Sequence, residues 1–110
     1  MTKSFVLSRL EACIDDPGSL KSGEYLREEI LDEARRIQDP DREFLVDVLR
    51  DWLQLRSEPR TMVAVDIAKV LALGGLKDDI QALRDDIVAG KAFSPYYLRW
   101  IDEALSSLVA

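Results

Sequence analysis

Residues 62–73 read Met62-Val63-Ala64-Val65-Asp66-Ile67-Ala68-Lys69-Val70-Leu71-Ala72-Leu73 and carry only two charges, Asp66 and Lys69. Apolar side chains fall on nearly every face of the helix this stretch predicts, so it must be covered on most sides. In a soluble chain of 110 residues that makes it the middle element, with other helices on its flanks. Ser57-Glu58-Pro59 supplies the start, a capping hydroxyl ahead of a proline suited to the first turn. Gly74-Gly75 supplies the stop.

Working backward, Asp39-Pro40 opens a preceding helix that runs to Leu55. Its apolar set, Phe44, Leu45, Val46, Val48, Leu49, Trp52 and Leu53, is wide enough to touch two neighbours. Before it, Leu26, Ile30, Leu31, Ala34 and Ile37 keep helical spacing from Glu24 to Ile37, and Glu24, Glu28, Glu29, Asp32 and Glu33 crowd the first turns, where the helix dipole favours carboxylates. The first helix spans Ser4 to Ile14, with Phe5, Val6, Leu7, Leu10, Cys13 and Ile14 on one face. Asp15-Asp16-Pro17-Gly18 ends it and begins an enlarged connector, Asp15 to Gly23.

Working forward, Ile80, Leu83, Ile87 and Val88 face inward on a helix from Lys77 to Ala89, with Asp78, Asp79, Asp85 and Asp86 outward and Gly90 as the stop. Ser94-Pro95 repeats the cap-then-proline start. The last helix carries Tyr96, Tyr97, Leu98, Trp100, Ile101, Ala104, Leu105 and Leu108. No stretch alternates β-branched with polar residues for long, so the fold class is all-α with six helices.

The even-numbered helices share four residues in register: Leu31-Asp32-Glu33-Ala34, Val65-Asp66-Ile67-Ala68 and Ile101-Asp102-Glu103-Ala104. Their alanines, Ala34, Ala68 and Ala104, stand 34 and 36 residues apart. The odd-numbered helices share another frame: Leu7, Leu10, Ile14; Val46, Leu49, Leu53; Ile80, Leu83, Ile87. Two frames with compatible spacing predict three antiparallel helical hairpins, about 4–37, 39–73 and 76–109, stacked side by side as one domain over residues 1–110. Only the middle hairpin then has neighbours on both sides, which accounts for the apolar 62–73 stretch.

Ser57-Glu58-Pro59 leading into Ala64, Ala68, Leu71 and Gly74, followed by the Leu-rich segment 76–87, is similar to the second helix of one unit of the HEAT-like and armadillo-like α-solenoids running into the next unit's first helix. The resemblance implies a right-handed α-α superhelix whose second helices line a concave, partner-binding side. Met62, Glu28 and Leu98 stand where that family often has an arginine, so a plain six-helix bundle built of HEAT-like hairpins fits the same residues.

Composition narrows the function. The chain is 47% hydrophobic and 33% charged, a balance that supports a folded domain rather than a disordered tail. A formal net charge of -6 repels phosphate backbones and anionic lipid, which argues against nucleic acid and membrane surfaces; it would steer a basic protein partner toward this surface, and it is also the commonest way for a cytosolic protein to stay soluble. Histidine is absent and Cys13 is the only cysteine, which removes the usual general base, the commonest transition-metal ligand and any internal disulfide. Cys13 lies in an apolar helical pattern and reads as an inert core thiol. The apolar run Phe5 to Leu7 is too short for a signal peptide, and no stretch is long enough for a membrane span, so the expected location is the cytoplasm.

Two features stand out as candidate partner-binding sites. Asp32, Asp66 and Asp102 occupy equivalent positions and in a stack would form a row of carboxylates, with Glu28, Glu29, Arg36, Lys69 and Arg99 on or beside it. Asp66, in an otherwise apolar helix, is equally suited to an internal ion pair. Phe93 to Trp100 holds half of the chain's aromatic residues, and Tyr96, Tyr97 and Trp100 beside Arg99 is a composition common at interface hot spots. The same rings could instead cap the open end of a stack. Asp15-Asp16, Asp78-Asp79 and Asp85-Asp86 lack calcium-loop spacing and read as dipole-capping or solubilising pairs, and no phosphate loop, nucleophile elbow or metal-ligand cluster occurs.

The expectation is a non-enzymatic binding module, without cofactor or metal, acting as a monomer or weak homodimer. An acidic inhibitor or immunity protein for a basic toxin or nuclease fits its size and charge. The competing expectation is an accessory domain or enzyme subunit that holds a small molecule between hairpins.

Overall fold

The computed structural model describes residues 2–15 and 23–108, and every described regular element is helical. In order these are α1 (Lys3–Asp15), α2 (Gly23–Leu55), α3 (Glu58–Val70), α4 (Lys77–Val88) and α5 (Leu98–Ser107), with short 3-10 turns at Gly74–Leu76 and Pro95–Tyr97. The chain divides into two compact units, Met1–Val48 and Leu49–Ala110. Asp16, Pro17 and Gly18, in the predicted stop and connector, lie outside the described residues.

In the first unit Thr2 caps α1, its Oγ1 accepting the Phe5 backbone N–H at 3.1 Å. Val6, Leu10 and Cys13 are buried, whereas Phe5 and Leu7 are exposed. The predicted apolar face is therefore too wide, because the buried set keeps only the three- and four-residue spacing of one stripe. On α2 Ile30, Leu31, Ala34 and Ile37 are all buried, as their spacing predicts.

The break predicted at Asp39-Pro40 is a kink within α2, where Asp39 is extended (φ -119°, ψ 103°) and Asp41 also leaves helical values. A residue that precedes proline is driven out of the α region by the ring, which fixes the place of the kink. Counting the two halves of α2, six helical segments are described.

In the second unit Leu49, Trp52 and Leu53 of α2 are buried, as are Ala64, Val65, Ile67 and Ala68 of α3, Ile80, Leu83 and Ile87 of α4, and Ile101 and Ala104 of α5. No residue from Thr61 to Lys69 is exposed, but Val70 and Ala72 are, so the apolar stretch predicted to be covered over 62–73 is covered over its first two turns and opens to solvent at these two positions near its end. α5 packs against both α3 and α4. Val88, predicted inward, is 62% exposed because it lies in the last turn of α4 beyond the buried stripe that ends at Ile87.

The helix ends are built with less glycine than expected. α4 does stop at Gly90 (φ 76°), and the Lys91 N–H reaches back to the Asp86 carbonyl at 2.8 Å. α3 ends the same way one step before Gly74-Gly75. Ala72 takes the left-handed conformation (φ 54°) and the Leu73 N–H bonds the Ala68 carbonyl at 2.9 Å, while the glycine pair belongs to the following 3-10 turn. Since Ala72 is strained there, Ala72→Gly is expected to stabilise the chain by about 0.5–1 kcal/mol in urea denaturation, the relief of the left-handed strain exceeding the freedom glycine adds to the unfolded state.

α2 ends at Arg56, also left-handed (φ 55°). Here side chains meet the orphan carbonyls of the last turn. The Arg56 guanidinium bonds the Leu53 carbonyl, and the fully buried Thr61 hydroxyl donates to the Trp52 carbonyl at 2.7 Å. Thr61→Val keeps the shape but leaves that carbonyl without its donor, and is expected to cost about 1–3 kcal/mol by thermal or urea unfolding.

Polar links join the helices of this unit. Arg50 donates to Asp79 at 3.1 Å and to the Gly75 carbonyl at 3.2 Å. Arg56 pairs with Asp86 through Nε at 3.1 Å and Nη2 at 2.9 Å. Asp79 and Asp86, expected to point freely outward, are thus tied to the end of α2. Both partners advance along the chain together, from Arg50–Asp79 to Arg56–Asp86, so this part of α2 and α4 run in the same direction.

Candidate functional site

The carboxylates of the repeated four-residue motif are all engaged. Asp32 is exposed and pairs with Arg35 at 3.0 Å on the same helix. Asp102 is exposed and accepts from Arg84 Nε of α4 at 2.6 Å. Asp66 is half-buried and likewise has a partner, so none of the three is a bare charge.

The third position of the same motif, not singled out in the sequence, carries the larger structural role. Glu33 is 8% exposed, and its carboxylate takes Arg9 of α1 on one oxygen and Arg36 at 3.2 Å on the other. Glu103 pairs with Lys69 of α3 at 3.3 Å and Arg99 at 3.7 Å. At the equivalent place in α3 stands Ile67, fully buried. The position is buried at Glu33 and Ile67, whereas Glu103 stays exposed and reaches α3 only through its ion pair with Lys69.

Around Glu33, α1 and the first half of α2 form a hollow of about 260 Å³ lined by Arg9, Ala12, Cys13, Glu29 and Glu33. Cys13 is a buried free thiol on this wall. Glu29 is half-buried, and its Oε2 is shut off from solvent with no hydrogen-bond partner. Glu28, its neighbour, is exposed, and Arg36 is largely exposed beyond its bond to Glu33.

The aromatic segment forms a distinct patch on the second unit. Ser94 is the cap: its Oγ accepts the Tyr96 N–H at 3.2 Å, and Pro95 sets the first turn. The predicted last helix therefore begins as a 3-10 turn, Pro95–Tyr97, and becomes α-helical only from Leu98. This brings four rings into a chain of tilted and edge contacts. Phe93 meets Tyr97 at 5.8 Å between centroids, Tyr97 meets Tyr96 at 5.6 Å, and Tyr96 meets Trp100 at 4.8 Å. These distances lie within the range in which ring quadrupoles attract.

Phe93 and Tyr97 are half-buried, whereas Tyr96 is 70% and Trp100 38% exposed. The inner rings anchor the outer ones and leave two broad aromatic faces to solvent. Arg99, on the same helix, has a side chain that is 81% exposed despite its link to Glu103. Trp52, by contrast, is core. Rigid aromatic surface beside an exposed guanidinium can bind with little loss of side-chain freedom.

Among the described residues no three His, Cys, Asp or Glu side chains converge as a metal site, and no helix is long and apolar enough to cross a membrane. No family model, no curated protein and no solved structure matches the chain.

Proposed function

We propose that the protein is a non-catalytic protein-binding module of HEAT-like helical hairpins, which docks a basic protein through the Tyr96–Trp100 patch and acidic side chains of its second helices. The observation that carries this reading is the patch itself, two exposed aromatic faces held in place by two half-buried rings. Tyrosine and tryptophan held in place beside an arginine are the residue types enriched at interface hot spots.

The cross-links of the second unit support the hairpin part of the proposal. Thr61 and Trp52 join α3 to the end of α2, and Arg84 and Asp102 join α4 to α5. Arg50 and Arg56 tie the two first helices together, and Lys69 and Glu103 the two second helices. This is the pairing expected of two neighbouring hairpins in a stack.

A net charge of -6 supports a basic partner, and within that class a toxin or nuclease restrained by a small acidic inhibitor suits the size of the chain. The test is affinity capture from the native source, with mass spectrometry of what is retained. A basic protein released at high salt is the expected result. Retention of an acidic protein, or binding unchanged by charge reversal at Asp32, Asp66 and Asp102, would overturn the acidic-face reading.

A further inference from the structure

In the first unit the cations are shared unevenly. Glu33 has both Arg9 and Arg36, while Glu29, one turn earlier on the same face of α2, has no partner for its buried Oε2. A charged acceptor removed from water without a donor is among the costliest groups a fold can contain, and native structures seldom leave one unexplained. Arg9 is already committed to Glu33. Arg36, with 68% of its side chain exposed, is screened by solvent. The charge left uncompensated beside the hollow is therefore that of Glu29.

The hollow has the size and lining for a group that would compensate it. Its volume of about 260 Å³ is several times the roughly 30 Å³ share of one water molecule in the liquid. Ala12 and Cys13 offer an apolar wall on which methylene groups can lie, opposite the two carboxylates. Two carboxylates against the single guanidinium of Arg9 leave the lining net negative, which suits an apolar stem ending in a cation.

We propose that this hollow takes one arginine or lysine side chain of a basic protein, its guanidinium or ammonium head donating to Glu29 and its stem lying on Ala12 and Cys13. The inference rests on the basic-partner reading above and adds a contact to it: an anchor on the first unit, distinct in residues and chemistry from the aromatic patch on the second.

The test is a titration of the full chain with N-acetyl-arginine amide and, separately, N-acetyl-lysine amide, followed by the backbone amide resonances of Ala12, Cys13, Glu29 and Glu33. A saturable shift at these four is expected, and the tighter of the two probes identifies the head group. Glu29→Gln should weaken binding about tenfold or more, the loss of a charge-assisted hydrogen bond. Glu43→Gln, at an exposed position outside the hollow, should leave it unchanged.

Because Glu29→Gln removes the charge of a half-buried carboxylate whose Oε2 has no donor, its thermal unfolding should match or exceed that of the parent chain, which separates lost binding from lost folding. Shifts that do not saturate, equal shifts with N-acetyl-norleucine amide, or an unchanged affinity in Glu29→Gln would overturn the proposal. The probes are free amino-acid derivatives, so the titration succeeds or fails independently of protein capture. A positive titration with no basic partner would sink the wider reading alone, and a basic partner with no titration response would sink this one alone.

Discussion

Ile67→Glu is expected to unfold the second unit at room temperature. Ile67 is completely buried on α3, at the motif position where the other two copies carry Glu33 and Glu103. The buried Glu33 is tolerated because Arg9 and Arg36 reach it, and Glu103, which pairs with Lys69 and Arg99, is exposed to water as well. A glutamate at position 67 would lose its hydration in a site that solvent does not enter, at a cost of several kcal/mol, and would also lose the packing of the isoleucine. Set against the roughly 5–15 kcal/mol that a whole domain has in reserve, this leaves little or no folded population. Ile67→Ala, which removes only the packing, is expected to cost about 2–5 kcal/mol and remain folded at low temperature. Circular dichroism melts of the pair give the answer. If Ile67→Glu melts within a few degrees of the parent, the site is wetter than described.

The second large effect concerns binding rather than folding. Replacing Tyr96 and Trp100 together by alanine is expected to weaken the complex with the captured partner by at least about 2 kcal/mol, some 30-fold. The chain's own stability should fall by only about 1 kcal/mol, the worth of the ring contacts being removed, because the faces lost are already solvated. Titration calorimetry on the double variant, with Phe5→Ala as an exposed-ring control on α1, separates the two quantities. An affinity equal to that of the parent would mean that the rings only close off the helical stack, which was the competing reading of the same residues.

Which features could be anticipated depends on how local their causes are. The kink at Asp39 follows from one neighbouring proline, and the covering of residues 62–69 follows from a lack of polar side chains, so both were legible in the order of residues. The left-handed residues that close α2 and α3 were not, although α2 does stop at the predicted Leu55. Arg56 and Ala72 adopt the left-handed backbone that glycine takes most readily, in each case within a helix end closed by tertiary contacts or backbone bonds that local pattern does not reveal.

The candidate sites divide in the same way. The aromatic cluster was visible as composition, and its geometry follows from the Ser94-Pro95 turn. The ion pairs of Glu33 and Glu103 depend on cations from other helices and from later turns, which the motif's invariant aspartate does not reveal. An invariant residue on a solvated turn says less about packing than a variable one that alternates between an ion-paired glutamate and a buried isoleucine.

The polar links of the second unit also bear on how quickly it assembles. Thr61 reaches back 9 residues, Arg84 and Asp102 are 18 apart, Arg50 and Asp79 are 29, Arg56 and Asp86 are 30, and Lys69 and Glu103 are 34. None of these links spans more than 34 residues, and the helices they join are held internally by local bonds, so the unit belongs with helical folds, which assemble faster than sheets built on non-local pairing. During synthesis each helix would find its first partner as soon as the next hairpin emerged, so that apolar surface such as that of residues 62–69 would stay uncovered only briefly.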